Sequence, residues 1–207
     1  VVASDQIALS NAAVGEEIQL PDGRKEVLFA DTPRMSTYLL FFGVGEFESV
    51  VDAEDSRVRL AAAPGATRFG ALGLAFGRQS LQFCERYFGI AYPLAKMDLI
   101  AIPDFAFGAM ENWGAITFRE NLLLDYPETT SQEGRERICE VIAHEVTHQW
   151  FGNLVTPSDW RFLWLNESFA TYFGYGIVDH YYPEWGIWEK FVLGQTDGAL
   201  ERDALLE

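Results

Sequence analysis

The sequence predicts an α+β fold, in which the end of an all-β portion leads into a larger helical portion built around a small mixed sheet. Three observations carry this. Residues 1–50 read as short strands and turns with no helical periodicity. From Thr67 onward, apolar residues recur on a helical face. Two compact apolar runs between the helical stretches have the length and composition of buried strands.

In the first portion, "EEIQLPDGRKEVLFA" sets a Pro-Asp-Gly turn between two strand-like runs, and "TYLLFFGVGEFESV" is β-rich and broken by glycines. A domain border is expected near "DAEDSRVRLAAAPGA", dividing the chain into residues 1–50 and 51–207. Beyond it, Phe69, Leu72, Phe76, Phe83, Tyr87 and Phe88 mark one face of a helix. "KMDLIAIP" and "GAITFRENLLL" are the strand candidates. Thr130 with Glu133 forms a possible capping box that opens a helix running through Ile138, Val141 and Ile142, with Gly152-Asn153 as its stop. A last helix is expected from about Leu165 to Tyr182, ahead of Pro183.

Apolar residues make up 49% of the 207, including 16 Phe, 8 Tyr and 6 Trp, enough for a packed core. The formal charge of −16 comes without any basic stripe and argues against a nucleic-acid partner. Cys84 and Cys139 form no C-x-x-C pair, which predicts reduced, buried thiols and a cytoplasmic setting. No signal peptide is visible, and the longest apolar runs are too short to span a bilayer. The first residue is Val rather than Met, so the chain is expected to be an excerpt from a longer polypeptide.

Two of the chain's three histidines fall in "HEVTHQWFGN". A helix places His144 and His148 one turn apart on the same face, close enough to share one ion. With Glu145 between them this is H-E-x-x-H, the pattern of a zinc site whose glutamate is a general base. Apolar neighbours such as Val141 and Phe151 withdraw the imidazoles from water, so they need a partner. Catalytic zinc takes three protein ligands and keeps one position open. Glu167, in "WLNESFATY", could be the third ligand, or it could be a carboxylate facing a helix N-terminus.

H-E-x-x-H, eighteen intervening residues, then Glu within W-L-N-E resembles the gluzincin zinc aminopeptidases of the aminopeptidase N family. "GAMENWGAITFRE" resembles that family's exopeptidase motif, and "DTPRMSTYLLFFGVGEF" resembles the last strands of its N-terminal β domain. The wording is similar to the tricorn-interacting aminopeptidases. The resemblance implies a thermolysin-like catalytic domain over residues 51–207, preceded by the end of the β domain. It implies one Zn²⁺ per chain held by His144, His148 and Glu167, with Glu145 as base. Glu111 would pair with the free α-ammonium of a peptide substrate. Gly108 and Ala109 would lie along that substrate, and Met110 would line its first side-chain pocket.

Two rivals to peptide hydrolysis remain at this point: a zinc-dependent epoxide hydrolase of the same family, and a non-catalytic domain that binds peptide N-termini. Intact Glu145 speaks against the second. The sequence departs from the family pattern at Gly174, where members often carry a glutamate that orients a ligand. The family's second amine-binding residue belongs to an earlier part of the β domain. Its transition-state tyrosine is expected beyond Glu207, which predicts little activity from this segment alone. Phe169, Phe173 and Ile177 are expected to lack full cover, and His180 to lie on the surface.

Overall fold

The computed structural model describes residues 1–205. The first 45 residues form β1 (Val2–Ala3), β2 (Ile7–Ser10), β3 (Val14–Gln19), β4 (Arg24–Phe29) and β5 (Phe42–Gly45). β3 and β4 flank the Pro-Asp-Gly turn and make a three-stranded sheet of order β1-β4-β3, while β2 pairs antiparallel with β5.

β6 (Glu48–Val51), β7 (Val58–Ala62), β8 (Met97–Ile102), β9 (Ala109–Met110) and β10 (Ala115–Arg119) form a mixed sheet of order β6-β7-β8-β10-β9. β7, β8 and β10 are mutually parallel, and the edge strands β6 and β9 are antiparallel. The border expected between residues 50 and 51 falls inside β6, because Glu48 to Val51 register against Ala62 to Arg59 of the mixed sheet.

β8 reads as a continuous apolar run because both of its faces are covered. Met97, Leu99 and Ala101 join the main core with Ile116 and Phe118. Ile100 points the other way, packing with Ala115, Ala61 and Leu9 of β2 in a second, smaller core. That second core seats the β2–β5 ribbon on the back of the mixed sheet.

The described residues form five α-helices: α1 (Ala71–Phe88), between β7 and β8, and then α2 (Gln132–His148), α3 (Leu163–Tyr181), α4 (Ile187–Phe191) and α5 (Asp197–Ala204). α1 buries Phe76, Leu81 and Cys84 completely. Each large apolar side chain hidden in this way contributes about 1.5–3 kcal/mol, so Leu81→Ala would cost roughly 2–5 kcal/mol. α1 approaches its neighbours closely because two positions lack side chains. A Cβ at Gly73 would stand 2.5 Å from the Leu123 carbonyl oxygen, and one at Gly77 would stand 2.5 Å from Leu99 Cδ1. The helix stops at Gly89, whose φ of 64° provides a left-handed cap.

α2 is capped by Ser131 rather than Thr130. Ser131 Oγ accepts from the Gly134 amide at 3.1 Å, whereas Thr130 Oγ1 accepts from the Tyr126 amide and closes the preceding turn. α2 also ends at His148, earlier than the Gly152-Asn153 stop, and residues 149–155 continue as turns joined by a bridge between Phe151 and Val155. α3 begins two residues before the expected start and ends one residue before the expected end.

Cover over α3 is more complete than the sequence suggests. Phe169 is 40% exposed, but Phe173 and Ile177 are buried. The rings of Tyr87, Phe88 and Phe151 close over Phe173 from α1 and from the turn after α2. His180 is exposed, as expected. No helix among the described residues is long and apolar enough to cross a membrane.

Candidate metal centre

α2 carries His144 and His148 on the face that meets α3. Their rings lie 4.7 Å apart at 76°, and the Nε2 atoms approach to 3.0 Å. Glu167, in the second turn of α3, brings Oε2 to 3.4 Å from His144 Nε2 and 3.7 Å from His148 Nε2. Three donors at about 2.0–2.2 Å from a tetrahedral ion stand roughly 3.4 Å from one another, so this triangle has the dimensions of a zinc site. The donor set, two imidazoles and a carboxylate, fits the same ion. His148 is fully buried, and its Nδ1 meets the Phe151 carbonyl at 3.0 Å, which turns Nε2 toward the centre.

The other expected polar residues gather on the same spot. Glu111, Glu145 and His148 offer ligand atoms within 4.8 Å of one another, and all three are buried. Glu145 Oε2 has no hydrogen-bond partner. Gly108 and Ala109 line a cleft of about 130 Å³ together with His144, Glu145 and Val141. Met110 lies beside them on the edge strand β9, half-buried against the main core.

The electrostatics favour a cation here. Burial pushes Glu145 up to about 8, opposed by His148 and reinforced by the charges of Glu111 and Glu167. Burial works against a charged His148, but the hydrogen bond to Glu167 and the field of Glu145 and Glu111 raise it to about 9. His144 and then His148 hold the Glu167 carboxyl well below the usual carboxylate range. A field that draws a proton onto a buried imidazole draws a metal dication to the same nitrogens.

Four buried amides fix the Glu111 loop. Asn153 Nδ2 donates to the Glu111 carbonyl at 2.9 Å, and Gln149 Nε2 reaches the same oxygen at 3.4 Å. Gln149 Oε1 accepts from the Gly114 amide at 3.2 Å. Asn11, 1% exposed, donates to the carbonyls of Trp113 and Leu39 at 2.8 Å each, and Asn112 donates to Leu39 as well. Gly114 has a φ of +77°, and a Cβ there would sit 2.6 Å from the Asn11 carbonyl oxygen, so the turn after the loop requires glycine.

Residues 73–207 match the model of the peptidase family M1 domain. The chain belongs to peptidase family M1. The chain is similar to a leucyl aminopeptidase of Saccharolobus solfataricus, 47% identical over 95% of this chain and 25% of that protein. A probable aminopeptidase 2 of Sulfurisphaera tokodaii is 46% identical over 99% of this chain and 26% of that protein. Aminopeptidase M1 of Arabidopsis thaliana is 44% identical over 100% of this chain and 23% of that protein. The chain spans about a quarter of the length of these curated relatives.

Gly174, where the sequence departs from the expected pattern, faces α2. A Cβ at Gly174 would contact His144 Cβ and its amide nitrogen at 3.5 Å. Sequence patterns missed Asn11 and Tyr38. Asn11 reaches across 102 positions to Trp113, a separation that leaves no local signature. Burial, and after it the charges of Glu111 and Glu167, raise the Tyr38 phenol above the ordinary tyrosine range. Its only clue was membership of the "MSTYLLFF" stretch that resembled a family strand.

Proposed function

We propose that the chain carries the catalytic centre of a zinc aminopeptidase that removes N-terminal residues from peptides, within a thermolysin-like domain. The observation that supports this is the convergence of the Glu145 and Glu111 carboxylates on the His144–His148–Glu167 triangle. The names of the relatives support the same activity.

His144, His148 and Glu167 would hold the zinc, which when bound polarises a carbonyl and lowers the pKa of water. Glu145 receives a proton from the attacking water at its unpartnered carboxylate oxygen and returns it to the departing amine. Glu111 pairs with the α-ammonium of the substrate, a charge-assisted contact in a largely dry setting. β9 is an edge strand, so Ala109 and Met110 leave backbone groups free for an extended peptide. Gly108 and Ala109 allow that peptide to approach closely, and Met110 borders its first side chain. The two free, buried cysteines support a cytoplasmic setting.

The test uses the natural full-length chain and aminoacyl amides, with and without a chelator. Activity should require the metal, and Glu111→Ala should weaken cleavage of free-amine substrates while N-blocked ones stay poor for both forms. Chelator-resistant turnover, or a Glu111→Ala variant equal to the parent, would overturn the proposal.

A further inference from the structure

Buried polar bonds join the β portion to the loop that carries Glu111. Asn11, the residue after β2, uses its whole side chain there. Its Nδ2 donates to the Leu39 and Trp113 carbonyls at 2.8 Å each, and its Oδ1 accepts from the Phe41 amide at 2.9 Å. Lys96, also buried, donates to the Ser10 carbonyl at 2.6 Å and to the Gly114 carbonyl at 2.7 Å, and pairs with Asp98 at 2.8 Å. Ser10 and Asn11 are neighbours, and so are Trp113 and Gly114. Two adjacent residues of the β portion are therefore fastened, one directly and one through an ammonium, to two adjacent residues of the Glu111 loop.

These bonds complete the hold on the stretch between Glu111 and β10. Gln149 and Asn153 take the Glu111 carbonyl, while Asn11 and Lys96 take the carbonyls of Trp113 and Gly114. The hydrogen bonds of the Asn11 side chain go to Leu39, Phe41 and Trp113, and none goes to α2 or α3, which carry the metal triangle. We propose that Asn11 is a positioning residue for Glu111: by holding the Trp113 carbonyl to Leu39 and Phe41, it sets where the carboxylate stands beside the metal triangle. It thereby sets how strongly the site favours a free amine. Without Nδ2, the carbonyl of buried Trp113 loses that donor and can regain one only by moving the loop. A displacement of about 1 Å is enough to weaken a directed contact severely. The inference rests on Glu111 being the amine anchor of the proposed function.

The experiment uses the natural full-length chain and two inhibitors, leucine hydroxamate and 4-methylpentanoic hydroxamate, which differ only in the α-amine. Both reach a metal through the hydroxamate, so the ratio of their inhibition constants reports the amine contact alone. Asn11→Ala should weaken leucine hydroxamate about tenfold, the scale of one bond to a charged group, and the amine-free compound by less than about twofold. Asn11→Ser, which keeps one donor and perturbs the fold less, should fall between Asn11→Ala and the parent. In the Glu111→Ala background, Asn11→Ala should leave the ratio unchanged, because a residue acting through Glu111 has nothing left to position. Elemental analysis and near-ultraviolet circular dichroism check that each variant keeps its metal and its fold.

An unchanged ratio in Asn11→Ala and Asn11→Ser, or equal weakening of both inhibitors, would overturn the role of Asn11 while leaving the amine anchor standing. A Glu111→Ala variant with the parent's ratio would remove the anchor itself, and the role of Asn11 with it.

Discussion

Glu145→Gln separates the chemistry of this centre from its architecture. The substitution keeps the shape of the side chain and replaces an acceptor oxygen with an NH₂ group. Glu145 is 7% exposed, its Oε2 has no partner, and Glu111 and Glu167 add to the cost of its charge. A neutral amide relieves that repulsion and most of the desolvation, so unfolding should occur at or above the parent's temperature. Turnover should move the other way. A general base is worth on the order of 10²–10⁴ in rate, or about 3–5 kcal/mol of activation free energy. His144, His148 and Glu167 are untouched, so about one zinc per chain should remain. The assay combines kcat on an aminoacyl amide, elemental analysis and a thermal melt of the same preparations. Turnover within tenfold of the parent, or loss of the metal alongside activity, would refute the assignment of Glu145 as base.

Other expectations follow from the same geometry. His148→Ala should remove most of the zinc measured after dialysis, since it deletes the fully buried member of the donor triangle. Burial pushes Cys84 and Cys139 up to about 12, so neither should react with a thiol reagent near pH 8 until denaturant is added, when both should titrate. Arg57 binds Asp55 and Glu85 and holds both carboxyls below their ordinary values. Depressed carboxyl pKa values stabilise the fold above the unfolded values and lose that effect as pH falls through the folded ones. Arg57→Ala should therefore cost about 1 kcal/mol near neutral pH, given the partial exposure of the pair. It should also flatten the loss of stability between about pH 5 and pH 2 in urea titrations.

The parts of the molecule legible in the sequence were those whose information is local. His144, Glu145 and His148 share one helical turn, and a period of 3.6 is enough to put both imidazoles on one face. β8 and β10 stood out because strands covered on both faces are continuously apolar. The α2 cap was misplaced by one residue because Thr130 and Ser131 are both competent, and only the Tyr126 turn decides between them. β6 looked like the last strand of the β portion because its sequence fits either sheet; its register with β7 is a tertiary choice. Phe173 and Ile177 were expected to lack cover because the rings and helices that bury them come from distant segments. Asn11 and Tyr38 share this obstacle, since Trp113 and Trp160, which they meet, lie more than a hundred positions away in the sequence.

The hold of Gln149 and Asn153 on the Glu111 carbonyl has a consequence for measurement. These amides lie one and five residues beyond His148, so the same short stretch of chain that follows the buried imidazole also grips the loop that presents the Glu111 carboxylate. The gap between the two is then set by two buried side-chain amides bonded to one backbone carbonyl, like the jaws of a caliper locked at one opening. On the proposed function, that opening decides how many residues fit between a peptide's first nitrogen and the bond that breaks. Lengthening the turn at 149–153 by one residue should spoil the register for every substrate alike, whatever its first side chain.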